Sequence, residues 1–137
     1  MIKTTFPPNY EDVKKVFTHQ KGTIYCFGDD IYNPDNSFID EFQLKHEAVH
    51  TKQQGKDPAI WWKRYMVDGD FRFVQELEAF QAQYEAYCQK VKDRNEQTKF
   101  LLKLGNALSG QTYLKLCDRN QAMSLIKSKT KFYVSPD

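Results

Sequence analysis

Apolar residues recur at helical spacing in five segments of the chain, which predicts a mostly helical protein. Turn-forming or capping residues separate these segments, as they separate the helices of globular proteins. The predicted helices cover residues 9–17, 38–54 (with a start near Ser37), 59–66, 71–91 and 119–126 (capped by Asp118). The two longest predicted helices are therefore those at 38–54 and 71–91.

A short β-hairpin is predicted before the first long helix. Residues 23–27 are β-branched or aromatic and lie between Gly22 and Gly28, and the pattern resumes at Ile31 and Tyr32 after a turn. Because consecutive elements are usually neighbours in space, we expect the hairpin to pack beside the helix that follows it. The sequence thus predicts an α+β protein: mostly helical, with an N-terminal β-hairpin beside one long helix and a second long helix.

The chain of 137 residues fits a single domain. We place the core of this domain at about residues 9–91. The charged residues 92–99 lack a hydrophobic period, and residues 100–128 are expected to form a helical extension of the core. A loop within that extension is predicted by three turn-forming residues, Gly105, Ser109 and Gly110.

Charge and cysteine content narrow the classes of partner. The chain has 20 Lys and Arg against 18 Asp and Glu, which is too even a balance to predict nucleic-acid binding. Its three cysteines are widely separated, so neither a disulfide framework nor a cysteine zinc site is expected. No apolar run approaches the roughly 20 residues of a membrane span, and no signal peptide is recognisable. We therefore expect a cytoplasmic protein that binds neither membranes nor nucleic acid.

His46, Glu47 and His50 form an H-E-x-x-H motif on the predicted helix at 38–54. Residues i and i+4 of a helix share one face, so both imidazoles can bind one metal ion. Glu47 lies beside that face, where a carboxylate can accept a proton from a metal-bound water. The motif predicts a Zn²⁺ centre with His46 and His50 as ligands and Glu47 as general base.

A catalytic zinc ion has three protein ligands and one open position, so a further ligand is needed. His19 lies in a predicted loop and is the weaker candidate. On the helix at 71–91, Glu76 lies about 60° and Glu78 about 140° from the middle of the apolar stripe. A carboxylate that borders the core is costly unless it is paired or bound to a metal. We predict Glu76 as the third ligand, with Glu78 as the alternative.

This pair of helices resembles the gluzincin-type zinc metallopeptidases. In that family a glutamate of a second helix is the third zinc ligand, and an aspartate four residues later contacts the first ligand histidine. This chain has Phe80 at the aspartate position, so the resemblance implies that Gln83 or a backbone carbonyl takes its place. The resemblance also implies a minimal zincin-like fold, a zinc cofactor and hydrolysis of peptide bonds.

A second resemblance is to small metallopeptidase-like proteins of bacteriophages and prophages. It is strongest over about residues 22–87 and includes HExxHxxQQG at 46–55, the tryptophan pair at 61–62 and QELEA at 75–79. The stretch from Leu108 to Tyr113 is similar to their C-terminal segment, although Leu114 stands where they often have glycine. The resemblance implies a location in the host cytoplasm or the virion, and peptides, proteins or phage structural proteins as partners.

The expected function is that of a zinc-dependent peptidase, in which Glu47 takes a proton from the zinc-bound water and returns it to the leaving amine. Two alternatives stay open. The protein can bind zinc without proteolysis, as a structural or interaction protein of a phage particle. It can also hydrolyse an amide bond that is not a peptide, since the same activated water serves any amide.

Residues around the motif have expected roles as well. A donor must stabilise the oxyanion of the reaction, and the candidates are Tyr32, Arg64 and Tyr65. Trp61 and Trp62 are expected to pack in the core. The predicted hairpin is expected to present an edge strand to which an extended peptide can add.

Overall fold

The structure, a computed structural model, describes residues 1–110 and 116–135. The elements in these ranges are β1 (Ile2–Lys3), α1 (Tyr10–Val16), β2 (Tyr25–Phe27), β3 (Asp30–Tyr32), α2 (Glu41–Gln54), α3 (Pro58–Val67), α4 (Gly69–Lys90), α5 (Arg94–Leu108) and α6 (Arg119–Ser128). The fold is α+β, mostly helical with one small sheet, as predicted. None of the helices in the described part of the chain has the length and apolar character needed to cross a membrane. Tyr113 and Leu114 of the predicted C-terminal segment lie outside the described residues.

The predicted β-hairpin is confirmed, and an N-terminal strand extends it. β2 pairs antiparallel with β3, which places Cys26 opposite Ile31. β1 pairs parallel with the other side of β3, so the strand order is β1-β3-β2. β1 consists of Ile2 and Lys3 alone, which is too short for an alternating pattern, and the sequence therefore did not predict it.

All five predicted helices are present, and the helix with the motif begins later than expected. α2 starts at Glu41 rather than near Ser37 because Asp40 is its N-cap. The Asp40 carboxylate accepts a hydrogen bond from the backbone N–H of Gln43, and the Gln43 side chain accepts one from the backbone N–H of Asp40. This reciprocal capping box fixes the first turn of the helix.

The loop predicted at Gly105, Ser109 and Gly110 is wrong at Gly105, because α5 runs without interruption from Arg94 to Leu108, whereas Ser109 and Gly110 follow the helix. Asp93 caps this helix by accepting a hydrogen bond from a backbone N–H of the first turn. Gly105 is buried where α5 meets α6, and a Cβ atom placed there would lie 2.5 Å from Met123 Cγ. The glycine therefore permits the close approach of two helices and does not mark a turn.

α4 contributes to two hydrophobic clusters and so connects the halves of the fold. Near its start, Phe71 packs with Val13, Tyr25, Tyr32, Trp61, Trp62 and Tyr65. Further along, its residues Phe73, Leu77 and Phe80 pack with Leu101, Leu104, Leu108, Ala122 and Ile126. α5 and α6 thus share a core with α4 and are not an appendage to it. The expectation that Trp61 and Trp62 pack in the core is confirmed.

We predict that Gly105→Leu destabilises the protein by about 3 kcal/mol, which is the upper range for overpacking a close-packed interface. Leucine is a good helix former, so the loss reports the packing of α5 against α6. Urea unfolding followed by circular dichroism measures the effect. Asn106→Leu, at the neighbouring exposed position, is the control and should stay within about 0.5 kcal/mol of the parent. Equal stabilities of the two variants would contradict the close approach.

Candidate metal centre

Two histidines of α2 and one glutamate of α4 bring their polar atoms together in the interior. His46 Nε2 lies 3.2 Å from His50 Nε2. Glu76 Oε1 lies 3.1 Å from His46 Nε2, and Glu76 Oε2 lies 2.8 Å from His50 Nε2. In the described ranges, these residues form the one group of His, Cys, Asp or Glu side chains that can hold a metal ion.

Helix geometry explains why these three residues meet. His46 and His50 are one turn apart on α2 and share the face that packs on α4. Glu76 lies on the buried side of α4 and is 4% exposed, whereas Glu78 is exposed. The prediction that Glu76 and not Glu78 borders the core is therefore confirmed. The Phe80 ring lies edge-on to the His46 ring, 4.7 Å between centroids, and closes this side of the centre.

The spacing of the three residues fits a tetrahedral zinc ion. Ligand atoms about 2.0–2.1 Å from zinc at tetrahedral angles lie roughly 3.3–3.4 Å from one another. The contacts between the three side chains, 2.8 to 3.2 Å, are slightly shorter than that. Two imidazole nitrogens and one carboxylate oxygen are also a donor set of catalytic zinc. The residues present fit zinc, and nickel, cobalt or copper also accept such nitrogen and oxygen donors.

Two glutamine amides fix the orientation of the imidazole rings. Gln83 Oε1 lies 3.0 Å from His46 Nδ1, and Gln53 Oε1 lies 2.8 Å from His50 Nδ1. Because an amide oxygen only accepts, each Nδ1 carries the proton and each neutral ring presents an Nε2 lone pair. The amide of Gln53 is itself held in place, since its Nε2 donates to two oxygen atoms of α4. The expectation that Gln83 contacts the first histidine is confirmed.

As a result, three hydrogen-bond acceptors face one another, and they repel unless a cation lies between them. A metal ion or a proton can be that cation. In the metal-free protein, burial disfavours the charged form of His50, but the Glu76 carboxylate outweighs burial and the pKa of His50 rises to about 9. Burial alone would raise the pKa of Glu76, yet His50 and His46 hold it well below its usual value.

Glu47 lies beside these three residues, and its side chain borders the same cavity. The residue is 8% exposed, and its carboxylate makes no hydrogen bond or ion pair with any other residue in the described ranges. Burial raises the pKa of Glu47, while His46 and His50 act in the opposite direction. A buried carboxylate without a partner is costly, which points to a chemical role.

Of the three predicted oxyanion donors, Tyr65 reaches the centre. Its hydroxyl donates to Glu76 Oε2 over 3.1 Å and so orients the carboxylate. Arg64 pairs instead with Asp68, the residue between α3 and α4, and Tyr32 is buried in a hydrophobic cluster. Neither Arg64 nor Tyr32 is among the described residues that line the cavity.

His19 is separate from the candidate metal centre. Its Nε2 lies 2.8 Å from Asp35 Oδ2, and its Nδ1 lies 2.6 Å from the hydroxyl of Tyr25. The same Asp35 oxygen accepts a hydrogen bond from the backbone N–H of Gly22. His19 thus holds the loop that precedes β2, which agrees with its rank as the weaker ligand candidate.

A cavity of about 510 Å³ borders the centre. His46, Glu47, His50 and Glu76 all line it. Another wall is formed by α5, which contributes Phe100, Lys103, Leu104 and Ala107. A volume of this size is typical of sites that bind small molecules or short peptide segments. The α5 wall was not predicted from the sequence, because the charged residues 92–99 lack a hydrophobic period and did not indicate a helix.

Side chains form hydrogen bonds with the outer edge of β2 at Cys26 and with the following turn at Gly28. The Cys26 carbonyl accepts hydrogen bonds from Gln54 Nε2 over 2.8 Å and from Trp62 Nε1 over 2.9 Å. Gln54 Oε1 accepts a hydrogen bond from the backbone N–H of Gly28 over 2.7 Å. The expected addition of an extended peptide to this edge is therefore wrong at these two residues. Gln54 ties the hairpin to the end of α2.

Comparison with known proteins yields no relative from which a role can be transferred. No protein-family model, no curated protein and no solved structure matches the chain. The resemblance to gluzincins therefore rests on the motif residues themselves. The geometry of the site is therefore the evidence that bears on the function.

We predict that Gln83→Leu and Gln53→Leu each weaken zinc binding by about 10–100-fold, as loss of a partner that orients a ligand histidine typically does. Isothermal titration of the metal-free protein with zinc measures the affinity. Gln89→Leu, which removes an exposed amide near the end of α4, is the control and should bind zinc like the parent. An unchanged affinity in both test variants would show that the amides do not orient the rings.

Proposed function

We propose that the protein is a gluzincin-like zinc metallopeptidase with a minimal zincin-like fold. The observation that carries this proposal is the buried Glu47 carboxylate, which borders the cavity beside the His46, His50 and Glu76 group and lacks a partner among the described residues. A general base must keep a lone pair free for the incoming proton.

His46, His50 and Glu76 are the residues that would hold zinc. When bound, zinc polarises a substrate carbonyl and lowers the pKa of water to about 7. Structural zinc sites usually have four protein ligands, whereas catalytic sites have three and keep one position open. The metal-binding group has three members in the described part of the chain, which favours a catalytic over a structural role.

The other residues of the centre transfer the proton, orient the metal-binding side chains and exclude solvent. Glu47 takes the proton of the attacking water and delivers it to the nitrogen of the leaving amine. Tyr65 and Gln83 hold Glu76 and His46 in position through hydrogen bonds. The Trp61 ring lies 5.5 Å from the His50 ring and shields it from solvent, which strengthens electrostatic interactions in the site.

The substrate that we propose is a peptide or an unfolded segment of a protein, because a cavity of about 510 Å³ admits only a few residues. From the resemblance to phage proteins we also propose that the protein acts in the host cytoplasm or in the phage particle. Phage structural proteins are then the natural partners. The alternative is a structural protein of the particle that binds zinc without proteolysis. Measuring zinc content and cleavage together distinguishes it from the peptidase.

We predict that Glu47→Gln retains one zinc ion per chain and cleaves an unfolded protein at least about 100-fold more slowly than the wild type. Glutamine has nearly the shape of glutamate but cannot accept the proton. Glu85→Gln is the matched control: it makes the same change at an exposed glutamate of α4 that does not contact the centre, and it should keep both zinc and activity.

Zinc content from elemental analysis and cleavage from mass spectrometry are measured on the same preparations. Zinc-loaded wild type that cleaves neither unfolded proteins nor a peptide library would contradict the peptidase proposal and favour the structural alternative. Loss of zinc from Glu47→Gln would instead show that Glu47 is a ligand and not the base.

A further inference from the structure

One face of α5 forms a wall of the cavity and carries a positive charge. Phe100 is followed three and four residues later by Lys103 and Leu104, and these are followed by Ala107 at the same spacings, so all four residues lie on one side of the helix. All but Lys103 are apolar. Lys103 is exposed, and it is the one lysine or arginine among the described residues that line the cavity.

α4 connects this wall with the candidate metal centre. Glu76, Phe80 and Gln83 recur at helical spacing, and all of them line the cavity. The centre and the α5 wall therefore border the same cavity, and a peptide whose scissile bond lies at the centre can reach the α5 wall with a neighbouring residue.

The charge of Lys103 is not neutralised by an acidic partner in the described part of the chain. By contrast Lys99, one turn earlier on α5, pairs with Glu96 outside the cavity. Three acidic residues among those described line the cavity, and none of them forms an ion pair with Lys103. Asp40 caps α2, Glu76 contacts the histidines, and Glu47 is the proposed general base. An unneutralised ammonium group on an otherwise apolar wall attracts an anionic ligand group.

We propose that Lys103 binds a carboxylate of the peptide substrate, so that the protein prefers peptides with a carboxylate near the scissile bond. The C-terminal carboxylate of a peptide and the side chain of Asp or Glu offer the same chemistry. Phe100, Leu104 and Ala107 contact the aliphatic part of that residue. The position of the scissile bond rests on the proposed function, whereas the contact with the carboxylate does not.

Peptide binding tests the contact without catalysis. Three pentapeptides of otherwise identical sequence are titrated into full-length Glu47→Gln protein loaded with zinc: one ends in a free carboxylate, one in an amide, and one in an amide preceded by glutamate. We expect at least one peptide with a carboxylate to bind about tenfold tighter than the neutral one, and less so at high salt. The peptide that shows the preference identifies the source of the carboxylate.

Lys103→Met in the same background should abolish the preference, whereas Lys99→Met should retain it. A preference that survives Lys103→Met means that the carboxylate binds elsewhere, for example to the metal, and overturns the inference. Equal binding of all three peptides, or binding of none of them, overturns it as well.

Cleavage of the same peptides by protein with Glu47 intact separates the two proposals. If cleavage occurs at equal rates for all peptides and Lys103→Met changes neither rates nor binding, the carboxylate contact is refuted and the peptidase proposal stands. If no peptide is cleaved but binding still depends on Lys103, the peptidase proposal fails and the carboxylate contact stands.

Discussion

Three hydrogen-bond acceptors face one another where α2 packs on α4, and their mutual repulsion requires a cation between them. The tautomers of His46 and His50 follow from the glutamine oxygens at their Nδ1 atoms, so neither ring can turn a donor toward Glu76 without protonation. Burial makes this arrangement costly, and a metal ion or a proton between the acceptors would offset the cost. The other features of the centre serve to keep these acceptors in place.

The position of the centre depends on α4, which is shared by both hydrophobic clusters. One stretch of this helix contributes Glu76 to the centre, Phe80 to the packing of His46 and Gln83 to its orientation. At the C-terminal end of α2, the side chain of Gln54 holds the hairpin through hydrogen bonds to Cys26 and Gly28. The fold thus closes the centre on the side of the core and leaves it open toward the cavity.

Much of the centre could be predicted from the sequence, because the periodicity of a helix determines from the spacing of residues which of them lie on the same face. The motif placed His46 and His50 on one face, and the apolar stripe of the second helix selected Glu76 over Glu78. The wall formed by α5 could not be predicted, since residues 94–99 of this helix are all polar or charged and show no apolar period. From the sequence alone, Gly105 indicates a turn. Glycine is required there because Met123 of α6 lies too close for a larger side chain, and this contact is visible only in the tertiary structure.

X-ray absorption spectroscopy of the zinc-loaded protein tests most directly whether His46, His50 and Glu76 share one ion. We expect a first shell of four nitrogen or oxygen atoms at about 2.0–2.1 Å, with outer-shell scattering from two imidazole rings. In His50→Ala, the scattering of at most one ring should remain. A sulfur neighbour at about 2.3 Å, or a shell without imidazole scattering, would show that these three residues do not share the ion.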